Sequence, residues 1–167
     1  NPQVILATLQ KEVGLVTISN PGSWRYRTAM GYGCPDSTPG VCSSQYFGFT
    51  NQVRWAATMF RAIMNNSPTW FTPYRIGVNS ILWHPNQACG ISNVNIVNRA
   101  TVALYSYTPY RPNNAALAAG FGTGDGCSSY GNRNFWLYFN TWFGSSTSSI
   151  LIQSPQSPAV YLQSGSV

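Results

Sequence analysis

Three carboxylates are all that this chain has for acid–base chemistry: Glu12, Asp36 and Asp125. Glu12 is the only glutamate, and it lies near the end of the stretch NPQVILATLQKEVG, Asn1 to Gly14. That stretch reads as an amphipathic helix. Asn1 can cap the first turn, Pro2 suits the first helical position, and Gly14 can adopt the left-handed conformation that stops a helix. Val4, Ile5, Leu6, Ala7, Leu9 and Val13 form the apolar side, and Gln3, Gln10 and Lys11 the wet side. Glu12 follows Ile5 by seven residues, Thr8 by four and Leu9 by three, so it shares the face of these residues. A carboxyl placed among apolar neighbours, at the negative end of a helix dipole, is expected to keep its proton more readily. That is what a general acid needs. The bland alternative is a glutamate paired with an arginine at a helix end.

The two aspartates lie in loops rich in turn residues, Asp36 in CPDSTPGVC and Asp125 in TGDGC. Either can serve as a second carboxylate, and either can instead be stabilising its own turn. His84, the only histidine, stands before Pro85 and reads more as the end of a hairpin than as a base.

The composition narrows what such a site would act on. Charged residues make up 7% of the 167, and aromatics 14%, with ten Tyr, eight Phe and six Trp. A surface covered by amides, hydroxyls and aromatic rings suits carbohydrate. Clustered cations, which duplex DNA requires, are missing: the net charge of +6 comes from eight scattered arginines and Lys11, so no nucleic-acid partner is expected. Such a charge gives a mild attraction to anionic surfaces such as bacterial walls. Cys34, Cys42, Cys89 and Cys127 have no CxxC spacing, so no metal site is expected. They read as two disulfides formed in an oxidising compartment. Cys34 with Cys42 is the preferred pairing, because the two enclose a short loop, which leaves Cys89 with Cys127. No apolar run is long enough to span a membrane, and no cofactor is called for. The chain opens at a helix cap, as a mature or trimmed piece of a longer protein would.

The elements that must hold these residues follow from periodicity. A helical turn is expected around Trp24 to Met30, and a second clear helix from Tyr46 to Asn65, capped by Thr50 or Asn51. Trp70 to Val97 alternates apolar with polar residues and reads as a small antiparallel hairpin, with Pro85 to Gly90 as its turn. Asn98 caps a further helix that stops before Pro109, a short one begins at Asn113, and Arg133 to Phe143 forms the last. Trp55, Phe60, Trp136 and Trp142, at helical spacing, are expected in the core. The fold class is mainly α, of α+β type, over residues 1–144. From 145 to 167 the Ser/Pro/Gln bias reads as a linker or the start of a further module.

Several of these segments line up, in order, with one superfamily. The chain resembles the lysozyme-like fold, in the branch of goose-type lysozymes and soluble lytic transglycosylases. That branch has a helix of the form D/N-P-x-L-L-x-A-x-x-x-x-E, which Asn1-Pro2-Gln3-Val4-Ile5-Leu6-Ala7 and Glu12 match. Ser usually follows the Glu, and here Val13 does. Ala29-Met30-Gly31-Tyr32-Gly33 stands where the family has a cleft-lining G-L-M-Q, without the Gln. Asn51 to Phe60 resembles its N-I-x-x-G-x-x-Y-L helix. Ala103 to Pro109 resembles its A-Y-N-A-G-P, with Tyr105 as the tyrosine that faces the acid.

The resemblance implies a secreted protein of the cell wall that cleaves the β-1,4 bond between N-acetylmuramic acid and N-acetylglucosamine in peptidoglycan. Glu12 would protonate the leaving oxygen. Asp36 would activate a water if its loop folds over the cleft, with Asp125 the weaker candidate. With one acid alone, the muramic 6-hydroxyl would attack and leave a 1,6-anhydro end. Tyr32, Tyr46, Gln52, Tyr105, Tyr107 and Tyr110 are the expected sugar-binding residues, and peptidoglycan strands the expected partner. A glycan-binding member that lacks the chemistry, and a surface adhesin, are the competing readings.

Overall fold

The structure is a computed structural model that describes residues 1–36, 38, 40–145, 149–153 and 160–164. It combines helices with small antiparallel two-stranded sheets and two disulfides. Helix α1, Pro2–Val13, begins and ends where its caps place it: Asn1 Oδ1 accepts from the Gln3 N–H at 3.0 Å, and Gly14 takes a left-handed φ of 66°. The wet side expected for α1 is only partly there. Gln10 and Lys11 are both buried, because the helix is covered on two sides. Leu9 enters the main core with Met30, Met59, Ile81 and Val102, while Ala7 packs on Phe135 and Phe139 of the last helix, α6 (Gly131–Phe143). The Gln10 amide is satisfied locally. Its oxygen accepts from the Val16 and Thr17 N–H groups, and its nitrogen donates to Thr17 Oγ1 at 2.8 Å.

Helix α2, Ser23–Arg27, is a single short turn. Helix α3, Phe49–Met64, buries Gln52, Ala56, Met59 and Ile63, a stripe at helical spacing. It starts two or three residues earlier than its expected caps allow: Gly48 is the N-cap, and Thr50 and Asn51 lie inside the first turn. Strands β1 (Gly77–Leu82) and β2 (Ile91–Ile96) pair antiparallel, from Gly77 opposite Ile96 to Leu82 opposite Ile91. Their apolar alternation is half realised. Ile81 and Ile96 reach the core, but Val78 and Ile91 face outward. Asn79 takes an inward position because its amide ties the entering backbone, accepting from Arg75 N–H and donating to the Arg75 and Gly77 carbonyls.

Helix α4, Arg99–Tyr107, is capped by Asn98, whose Oδ1 accepts from Thr101 N–H at 2.8 Å, and packs on α3. Helix α5, Asn114–Ala118, is capped in the same way by Asn113. Of the four aromatics expected in the core, Trp136 lies on the outer face of α6 at 58% exposure, and Trp55 is also exposed. Beyond 145, Ser149–Gln153 and Val160–Ser164 form β3 and β4, an antiparallel ladder. The rest of the expected linker, 146–148, 154–159 and 165–167, lies outside the described residues. Among the described residues, no helix is long and apolar enough to cross a membrane.

The disulfides join Cys34 to Cys42 and Cys89 to Cys127. The first closes the loop that carries Asp36. The second ties the turn between β1 and β2 to the loop that enters α6. Both fit an oxidising compartment.

Candidate functional site

A cleft of about 1020 Å³ opens beside the C-terminal end of α1. Its walls come from the last turn of α1, the disulfide loop with Gly31 and Tyr46 at its ends, Met59 of α3, the loop at 70–71, the turn at 84–85, the end of α4 with residues 108–110, and residues 128–131 at the start of α6. The fold brings Glu12, Asp36, Tyr32, Tyr46, Tyr107 and Tyr110 to this one cleft.

Glu12 is half-buried, its side chain 25% exposed. Its setting is not the apolar one expected. Lys11, the chain's only lysine, places Nζ 2.6 Å from Glu12 Oε1, with its own side chain 5% exposed. The ammonium also donates to Thr108 Oγ1 and stands 5.5 Å from the centre of the Tyr107 ring. On the other side the backbone of Gly31 presses against the carboxylate. A side chain's first carbon at Gly31 would lie 2.7 Å from Glu12 Oε2, and the residue has φ 67°. Only glycine meets both conditions without strain. At the end of α1, the Arg25 guanidinium donates to Val13 O and occupies one of the carbonyls that the helix end leaves open.

The segment against Glu12 is held in turn by Gln52. Gln52 is 0% exposed and does not line the cleft. Its Oε1 accepts from Met30 N–H at 3.1 Å and Tyr32 N–H at 3.0 Å, and its Nε2 donates to Tyr32 O and Tyr46 O, each at 2.9 Å. With every hydrogen bond of its amide used, Gln52 shapes the wall and has nothing left for a sugar. That corrects the expectation from its polarity.

Tyr105 is a second correction. Residues two apart on a helix project from nearly opposite faces, so it is Tyr107 that turns toward Glu12. Tyr105 stacks edge-on to Tyr74 instead, with ring centres 6.1 Å apart, outside the cleft. Burial raises its phenol, and the Arg111 charge offsets part of that. Burial pushes the Tyr107 phenol well above its ordinary range, with the Glu12 carboxylate and Tyr32 adding to the effect. The Tyr107 hydroxyl therefore keeps its hydrogen, which it donates to Met30 O at 2.6 Å. Tyr32 is raised by burial against the opposing hydrogen bond from Trp70, whose Nε1 donates to Tyr32 Oη at 2.8 Å.

Asp36 is exposed at the cleft margin, within reach of Tyr110, whose phenol is raised by burial and then by the Asp36 charge. Ser37 and Pro39 of the same loop lie outside the described residues. Asp125 does turn chemistry. Its carboxylate accepts from Asn113 Nδ2, Ser128 Oγ and Cys127 N–H, bonds that hold its pKa below the ordinary value. It does not line the cleft. His84 does line it. Its Nδ1 accepts from Asn86 N–H at 3.0 Å, so in the neutral ring Nε2 carries the hydrogen. Among the described residues, no group of three or more His, Cys, Asp or Glu side chains could hold a metal ion.

Three cleft residues carried no sequence signal that singled them out. Lys11 read as a solvated helix position. Trp70 and Phe71 belong to the stretch expected as the start of the hairpin, but β1 begins only at Gly77 and leaves them in a loop. Their one visible sign is the bracket of Pro68 and Pro73, which stiffens a short aromatic segment.

Compared with protein-family models, with characterised proteins and with solved structures, the chain matches none.

Proposed function

We propose that the chain is a secreted, lysozyme-like glycosidase of the cell wall that cleaves the β-1,4 bond between N-acetylmuramic acid and N-acetylglucosamine, with Glu12 as general acid and Asp36 as general base. The observation that carries this reading is the lone glutamate at the end of α1, with a glycine backbone packed against its carboxylate, in a cleft lined by aromatic rings. Glu12 donates its proton to the glycosidic oxygen as the bond to the anomeric carbon breaks. The Lys11 ammonium then compensates the carboxylate left behind. Asp36 takes a proton from the water that attacks the anomeric carbon. Two carboxylates that reach one cleft from different elements suit this hydrolysis, which in its inverting form leaves ~6.5–9.5 Å between them for the water.

One observation favours a second reading, a glycan-binding domain without chemistry. One of the two carboxylate oxygens of Glu12 is already taken by Lys11, as it would be in a purely structural ion pair.

Digestion of purified peptidoglycan, followed by mass analysis of the ends, separates the readings. Wild type is expected to release reducing muramic ends. Glu12→Gln and Asp36→Asn should each lose a hundredfold or more in turnover, a barrier change of ~2.7 kcal/mol. Anhydro-muramic ends, with Asp36→Asn within twofold of wild type, would replace hydrolysis by the single-acid route. Bound glycan with no new ends would leave only the binding domain.

A further inference from the structure

Trp70 is one of the most exposed aromatic side chains of the described residues, at 69%, yet it is not loose. Its Nε1 donates to Tyr32 Oη at 2.8 Å, and the two rings meet edge to face, 6.3 Å apart at 84°. Phe71 lies beside it, tilted by 32° at 5.5 Å. The loop beneath is tied by Thr69, whose hydroxyl donates to Phe71 O at 3.0 Å and meets the Thr72 hydroxyl. Pro68 and Pro73 bracket it. An indole fixed by its edge, with an open face, on the wall of the same cleft as Glu12 is a preorganised platform. Holding it there costs no rotamer entropy when a ligand arrives.

Charge selects the ligand. Among the described residues lining the cleft, the charged side chains are Lys11, Glu12 and Asp36, one cation and two anions, and Lys11 is already paired. All eight arginines lie outside that lining, although the chain as a whole carries +6. A polyanionic chain would find no free cation there and an unpaired carboxylate at the margin. An uncharged ring, whose C–H groups meet the electron-rich indole face, finds no such cost.

We propose that Trp70 forms a stacking subsite for an uncharged pyranose ring, such as an N-acetylglucosamine unit, in the glycan that occupies the cleft. The subsite rests on the glycan reading given above and adds to it the class of sugar that the platform accepts. The sequence marked neither Trp70 nor its loop as sugar-binding.

The test is calorimetric titration with the β-1,4-linked tetramer of N-acetylglucosamine, in a Glu12→Gln background so that the probe survives. The tetramer is expected to bind, at least tenfold more weakly when Trp70→Ala is added. Trp70→Phe keeps a ring and loses the anchor to Tyr32, so it should stay within about threefold. A tetramer of galacturonic acid should bind at least tenfold more weakly than the neutral probe. The proposal is overturned if the neutral tetramer does not bind, if Trp70→Ala stays within twofold, or if the anionic tetramer binds equally well. A thermal melt within about 2 °C of the parent is expected for Trp70→Ala, since its ring is largely outside the core. Its failure differs from that of the catalytic reading. If the catalytic reading fails, wild type leaves peptidoglycan uncut while the tetramer still binds through Trp70. If the subsite fails, Trp70→Ala digests the wall as wild type does.

Discussion

Gln52→Met tests whether the wall against Glu12 is held by the buried amide. Methionine keeps the length and apolar packing of the stem and removes both polar ends. Four backbone groups then lose their partners: the N–H of Met30 and Tyr32, and the carbonyls of Tyr32 and Tyr46. A net ~1 kcal/mol for each gives a loss of about 4 kcal/mol; the larger cost of leaving each group buried and unmet, ~1–3 kcal/mol, sets the upper limit. For a domain of this size that lowers Tm by about 8–16 °C. Calorimetric melts or urea unfolding measure it directly. Gln52→Glu sharpens the test. Its carboxyl still accepts from the two N–H groups, but when ionised it faces two carbonyl oxygens with no hydrogen to donate. Its folded pKa is therefore raised. The variant should be most stable in acid and lose stability as pH rises past the ordinary carboxyl range. A Gln52→Met melt within about 3 °C of wild type would refute the clamp, and so would a Gln52→Glu stability that does not fall with pH.

Two further outcomes follow from the same geometry. Gly31→Ala forces a left-handed alanine, at ~1–2 kcal/mol, and drives its methyl group into Glu12 Oε2; activity on cell walls should fall about a hundredfold, the scale of a ~1 Å misplacement, and a variant with wild-type turnover would separate Gly31 from the acid. Removing Cys34–Cys42, with a sequence separation of 8, should cost about 2.5 kcal/mol in chain entropy, and removing Cys89–Cys127, with a separation of 38, about 3.9 kcal/mol; equal or reversed losses in denaturant titrations of the paired Cys→Ser variants would show that strain or residual structure dominates.

Much of the fold could be read from local chemistry. Asn1, Pro2 and Gly14 bound α1, Asn98 caps α4, and the short loop between Cys34 and Cys42 makes their pairing the natural one. What could not be read depends on what packs where. Lys11 looks like a solvated helix position until the neighbourhood of Thr108 and Tyr107 covers it. Gln52 looks like a polar group reaching for a ligand, because nothing in its local sequence says that four backbone groups converge on it. Motif spacing points to Tyr105, and the phase of α4 gives the cleft to Tyr107 instead. Val78 faces outward and Asn79 inward because the Asn79 amide ties the backbone at Arg75 and Gly77.

The distribution of charge bears on how a glycan in a wall would be met. The only ion pair among the described residues is Lys11 with Glu12. Several arginines bond to neutral oxygens: Arg99 to Asn66, Arg54 to Asn51, Arg111 to Ser92, and Arg133, buried in α6, to the carbonyls of Ala116 and Gly122. Hydrogen bonds of this kind fix a guanidinium without cancelling its charge. The positive charge therefore remains as a field around the molecule, able to steer it toward an anionic surface over roughly the ~8–10 Å of screening length at physiological salt. Inside the cleft that field has little to act on, since the one cation lining it is already matched. On the proposed reading, attraction to a wall and recognition of a sugar ring would be carried by different residues. The first depends on arginines outside the cleft and weakens with salt. The second would depend on Trp70, the tyrosines of the cleft and the wall that Gln52 holds, whose contacts are short-range and largely indifferent to salt.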